Sequence, residues 1–193
     1  MCNLEEVKES VEVIKSEGNN KIVLLHCVTS YPTYPEDVNL NALKTMIEEF
    51  PKIPIGYSDH TLDPVASIAS VCLGAKVVER HFTHDKSAKG PDHMLSSDPD
   101  EMKFIVESIR TYEKLKGHGK KIPSNAEKIN IINNRKSLII NKPLKKNTKI
   151  SKDDLAIKRP GSGIYPKYIE SVVGKSLKLD VEYDHILNWS DIE

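Results

Sequence analysis

The chain has 193 residues, of which 38% are hydrophobic and 29% charged, an ordinary globular composition. Lys and Arg total 28 and Asp and Glu total 28; a balanced chain with no basic block gives no electrostatic case for nucleic acid or an anionic membrane. Three cysteines, Cys2, Cys27 and Cys72, match neither a metal knuckle nor a disulfide framework, the first residues lack the basic and apolar regions of a signal peptide, and no apolar run nears the roughly 20 residues that span a bilayer, so the expectation is a soluble cytoplasmic protein.

Along the first 117 residues helix and strand patterns alternate. Asn3 and Glu6 have capping-box spacing; Val7, Val11 and Ile14 then share one helical face, and Gly18 ends it. KIVLLHCV is a continuous apolar run that suits a strand buried on both faces of a parallel sheet. DVNLNALKTMIEEF returns to helical spacing with Leu40, Leu43, Ile47 and Phe50, and IPIGYSD reads as the next strand. Asp63-Pro64 opens a helix through SIASVCL that stops at Gly74, and AKVVERHFT is a third strand. Asp98-Pro99, with Glu101 completing a second capping box, starts a helix whose buried face is Met102, Ile105, Ile109 and Tyr112 and whose end is Gly117.

Residues 118–134 break the alternation and read as a linker. From Arg135 the character changes: RKSLIIN is a short β-type run, KKNT a turn, and ISKDDLAIKRPGSGIYP is dense in turn residues. The tail GKSLKLDVEYDHIL alternates apolar and polar positions. The expected organisation is an α/β domain over 1–117, the linker, and a small, mostly β domain over 135–193.

Polar residues gather where the predicted strands end: His26 to Tyr31 after the first, Tyr57 to His60 after the second, His81 to Asp85 after the third. Catalytic groups collect at the carboxyl ends of parallel strands. His60 and His81 stand on successive strands, where two imidazoles either bind one divalent metal with oxygens completing the shell or each satisfy a hydrogen bond at the rim. In GPDH, residues 90–93, Asp92 orients a sugar hydroxyl or acts as a base, or else caps a turn. Tyr31 either stacks on a substrate or packs, and Arg159 in KRPGSGI either reaches a ligand or stays a solvated charge.

The ordered set LHCVTSYPTYPEDVNL, IGYSDHT, ASIASVCLGAKVVERHFT, GPDH and RKSL…KRPGSGI resembles the sialic acid (nonulosonate) synthase family, from residue 1 to about residue 187. That resemblance implies the last three βα units of a TIM barrel followed by an antifreeze-like (SAF) domain. It implies condensation of phosphoenolpyruvate with an N-acetylated hexosamine and water, releasing phosphate. It further implies that His60 and His81 ligate manganese, or magnesium in its place, with His60, His81 and Asp92 catalytic. By the same resemblance Ser58 lies near phosphoenolpyruvate, Tyr31 and Asp92 line the sugar site, and Arg159 is lent to the partner's site in a domain-swapped homodimer. Thr29 departs from the pattern, since many relatives carry Asn or Ser there near phosphoenolpyruvate. Three strands do not close an eight-stranded barrel, so the expectation is a truncated, split or partial sequence whose missing N-terminal half supplies further substrate ligands, docked non-covalently if it is a separate chain. The rival expectations are a non-catalytic remnant whose SAF domain binds sugar or dimerises, and another phosphoenolpyruvate-dependent aldol-type synthase.

Overall fold

The computed structural model describes all 193 residues, in two compact units, Met1–Gly119 and Lys120–Glu193. The first opens with helix α1 (Leu4–Ser16). The Asn3 side chain accepts the Glu6 N–H at 3.0 Å and the Glu6 carboxylate accepts the Asn3 N–H at 2.7 Å, so two donors without intrahelical partners are satisfied. Then follow strand β1 (Leu24–Cys27), helix α2 (Asn41–Glu49), strand β2 (Ile55–Asp59), helix α3 (Val65–Cys72), strand β3 (Val78–Arg80) and helix α4 (Pro99–Leu115).

The strands form one parallel sheet in the order β1-β2-β3. Parallel neighbours need crossover connections, which α2 and α3 supply. β2 lies in the middle and is buried along its whole length. Its alternation sends Ile55, Tyr57 and Asp59 to the helix-covered face, where Ile55 and Tyr57 join Val38, Leu43 and Met46 in a core. Gly56, Ser58 and His60 turn to the opposite face.

The end of β3 differs from the sequence pattern, whereas the start of α3 follows it. β3 ends at Arg80 although AKVVERHFT reads as strand throughout. Beyond it the chain pairs with Ser97: the Ser97 N–H donates to the His81 carbonyl at 2.8 Å and the Thr83 N–H to the Ser97 carbonyl at 2.9 Å. At α3, Pro64 already has helical backbone, and Asp63 accepts the Val65 N–H through its side chain at 2.7 Å.

In the second unit, helix α5 (Lys128–Asn134) lies within the segment that reads as a linker, led in by a turn in which Ser124 and Glu127 cap one another. Strand β4 (Ser137–Ile140) pairs antiparallel with strand β5 (Leu155–Lys158), and one short helix, α6 (Ile169–Val172), follows. The tail makes single bridges, such as Leu144 to Val181 and Leu177 to Ile192, in place of long strands. Leu138, Ile140, Ile150, Val172, Leu177 and Leu187 are among its core residues. No helix in the chain is long and apolar enough to cross a membrane.

Candidate active site

The register of the parallel sheet sets the site. Cys27, Ser58 and Glu79 are successive partners across β1, β2 and β3, and Asp59 pairs with Arg80. His60 and His81 are each one residue further on. Their ring centroids are 5.2 Å apart with planes inclined at 74°. The Tyr31 ring, on the segment after β1, lies 4.3 Å from His60 and 5.9 Å from His81. Three aromatic rings from three strand ends therefore converge.

The tautomer of His60 follows from its partner. Its Nδ1 is 3.0 Å from the Val28 carbonyl oxygen, which only accepts, so Nδ1 carries a proton and, in the neutral ring, Nε2 has the lone pair. The Cys27 Sγ lies 3.8 Å from the same Nδ1. His81 Nδ1 is 3.7 Å from a carboxylate oxygen of Asp92, too long for a hydrogen bond. His93 turns aside, its Nδ1 2.7 Å from Thr83 Oγ1, and His26 bonds the Val38 carbonyl at 2.8 Å on the helix side.

These residues fit a divalent cation. A ring nitrogen held as a donor to a carbonyl, with the other nitrogen free, is the form in which imidazole binds metal. Two imidazoles on adjacent positions of one cation, each bound at roughly 2.1 Å, have ring centres about 5 Å apart, and the observed separation is 5.2 Å. No cluster of three or more His, Cys, Asp or Glu side chains that could hold a metal occurs in the chain; the two imidazoles are the donors a cation would meet here.

Of the other expected residues, Ser58 is buried and donates to Glu79 Oε1 at 2.6 Å. Thr29 and Asp92 are exposed, in the stretches that follow β1 and β3. Arg159 is exposed just after β5, in the second unit. The glycines beside it are packing requirements: a Cβ at Gly161 would meet Arg135 Cβ at 2.5 Å, and one at Gly163 would meet Ile186 Cγ2 at 2.5 Å.

Sequence reasoning misses two features. Glu79, two residues before His81, shares its sheet face and holds Ser58; the alternation of VERH carries that signal. The other lies on the opposite face. Asp59 and Arg80, 0% and 3% exposed at their side chains, pair at 2.7 Å. Asp59 also accepts from Ser67 of α3 at 2.5 Å and from Thr61 Oγ1 at 2.8 Å, and Arg80 Nε donates to Ser97 Oγ at 2.6 Å. Burial, then the Asp59 carboxylate, pushes the neighbouring Tyr57 phenol well above its ordinary range, so Tyr57 stays a donor toward Asp59. A largely apolar cleft of about 490 Å³, lined by Pro35, Val38, Leu40 and Val65 together with Asn39, Thr61 and Asp63, contains none of the candidate residues.

Consecutive parallel βα units with paired imidazoles at the strand ends, followed by a separate small β unit, define a partial TIM barrel with an appended SAF domain. The chain belongs to the NeuB family: the model of that family matches residues 1–121, and that of the SAF domain matches residues 135–193. It is 47% identical to an uncharacterised protein of Methanocaldococcus jannaschii, over 100% of this chain and 57% of that protein. It is 43% identical to the N,N'-diacetyllegionaminic acid synthase of Legionella pneumophila, over 100% of this chain and 55% of that one. Among solved structures it resembles the spore coat polysaccharide biosynthesis protein spsE of Bacillus subtilis, with a TM-score of 0.57 and 34% identity, over 100% of this chain and 59% of that chain. The chain thus spans little more than half the length of the relatives it matches.

Proposed function

We propose that this chain forms one sector of a nonulosonate synthase that condenses phosphoenolpyruvate with an N-acylated amino sugar and water and releases phosphate. The observation that carries the proposal is the 5.2 Å approach of the His60 and His81 rings at the ends of neighbouring parallel strands, in a chain of the NeuB family. The Legionella relative is named as a synthase of a sugar of this class, which supports the reaction type. Three strands do not close a barrel, so turnover belongs to a closed barrel in which these residues supply one stretch of the rim. The acceptor is N-acetylmannosamine or a diacetamido relative.

His60 and His81 would hold a divalent ion, manganese first and magnesium as its competitor, which would supply Lewis acidity toward the carbonyl oxygen of the open-chain sugar. C3 of phosphoenolpyruvate bonds to the sugar carbonyl carbon, the former carbonyl oxygen takes a proton, water adds at C2, and C–O cleavage releases phosphate. Ser58, fixed by Glu79, and Thr29 line the phosphoenolpyruvate side. Tyr31 stacks beside His60, and Asp92 accepts from a sugar hydroxyl and serves as the base in reach of the reacting face. Arg159 of a partner's SAF domain donates to the N-acyl oxygen in a domain-swapped dimer. The reaction is assigned to the cytoplasm.

Titration of the chain with Mn2+, followed by the electron paramagnetic resonance of the free ion, tests the metal site apart from turnover. Saturable binding is expected, and His60→Ala should weaken it about a hundredfold or more. Binding of equal strength in His60→Ala would sink the assignment.

A further inference from the structure

The buried pair behind the histidines has a use beyond holding the sheet together. Asp59 and Arg80 are register partners at the last rung of the β2–β3 ladder, and each immediately precedes a histidine. Alternation turns the pair toward α3 and the two imidazoles to the other face. Beyond that rung the backbone leaves regular pairing, so nothing in the sheet itself fixes how far apart His60 and His81 stand.

Several of the groups that fix it pass through the pair, beside the bonds that the His60 ring makes to Val28 and its carbonyl to Thr33. Asp59 Oδ1 accepts the Thr61 N–H at 2.9 Å, which clamps the peptide just after His60. The Thr33 N–H donates to the His60 carbonyl at 2.9 Å. Arg80 Nη1 bonds Asp59 Oδ2 at 2.7 Å while its Nε bonds Ser97 Oγ at 2.6 Å, and the Ser97 N–H bonds the His81 carbonyl at 2.8 Å. The Asp59 carboxylate is thereby tied to the backbone on the far side of both histidines.

We propose that the Asp59–Arg80 pair is a positioning device that sets the separation of His60 and His81 and so tunes cation affinity. This rests on the metal reading above. Partners behind a ligand that orient it are worth about ten- to a hundredfold in metal affinity. Breaking a buried pair also destabilises the fold, so the test must separate position from stability.

The measurement is Mn2+ affinity of the full chain, corrected for the folded fraction by circular dichroism, for Asp59→Asn, Arg80→Lys and Ile105→Ala. Ile105 is buried in α4 at 2% exposure and its hydrocarbon side chain has no hydrogen bond to give these groups, so its truncation serves as the control for lost stability. The expected result is Mn2+ binding about ten- to a hundredfold weaker in Asp59→Asn and Arg80→Lys, and unchanged in folded Ile105→Ala. Wild-type affinity in the two pair variants would overturn the proposal, as would equal weakening in Ile105→Ala. If Asp59→Asn fails to fold, Arg80→Lys decides; if both fail, Ser67→Ala, which deletes one donor to Asp59, decides by the same criterion. Absence of Mn2+ binding by the unsubstituted chain would refute the metal reading itself, an outcome distinct from these.

Discussion

Gly56 sits where no side chain fits: a Cβ there would lie 2.5 Å from both Leu25 Cδ2 and the Val77 carbonyl oxygen. The Leu25 methyl is a side-chain tip that can turn away, but the Val77 carbonyl is backbone, so the ladder itself must yield. Gly56→Ala should cost about 1–3 kcal/mol of stability, read as a lower urea midpoint; an unchanged midpoint would mean that the strands part easily. Arg159 is tested through the substrates. If it serves the N-acyl group, Arg159→Ala in a turning-over synthase should raise KM for the amino sugar about ten- to a hundredfold, the worth of a hydrogen bond to a charged donor, and leave that for phosphoenolpyruvate nearly unchanged. Equal rises for both would count against the role. The places of His60, His81 and Tyr31 are legible in the sequence because polar residues follow the apolar strand runs, and that of Asp92 because GPDH reads as a turn. Glu79 and the Asp59–Arg80 pair are not, because their meaning depends on register, which pairs Ser58 with Glu79 and Asp59 with Arg80 and which no single strand encodes.

Among the elements, α1 and α4 are read correctly from signals at their ends, whereas α5, β3 and β5 are not. α1 and α4 each carry a reciprocal cap at the start, a signal contained within four residues. In α4 the Asp98 side chain accepts the Glu101 N–H at 2.8 Å, and Glu101 is itself held by Lys86 Nζ at 2.7 Å. Asp98→Ala should therefore cost about 1 kcal/mol, visible in chemical denaturation, whereas Asp100→Ala in the same turn, which has no capping contact, should cost less. Equal losses would show that charge near the helix start matters more than the cap. β5 escapes notice because LAIK lies between Asp154 and Pro160 and is defined by its partner β4. α5 escapes because KINIINN carries polar Asn at positions a longer helix would fill with stronger formers, and only the Ser124–Glu127 cap announces it. β3 reads too long because the apolar pattern continues while its hydrogen bonds pass to Ser97.

At the scale of the whole molecule, the second unit carries its own acid sensitivity and its own reporter. Asp154 is buried at β5; burial opposes its charge, but the Lys142 ammonium and the N–H and O–H of Ser151 outweigh it and hold the carboxyl below its ordinary value. Asp191 is likewise opposed by burial and held low by His185 and the Asn188 N–H. A carboxyl depressed in the folded state adds stability that is complete above the unfolded value of about 4 and is lost as pH falls through the lower folded value. The chain's one tryptophan, Trp189, lies in this unit against Tyr168, their ring centroids 5.7 Å apart, so its fluorescence follows this unit's unfolding. The urea midpoint seen by Trp189 should hold level from about pH 7 to about pH 5 and fall toward about pH 3. Asp154→Asn should begin lower and fall less steeply, since it has no proton to take up. A midpoint indifferent to acid in the unsubstituted chain would mean that these carboxyls are paired as strongly in the unfolded chain as in the folded one.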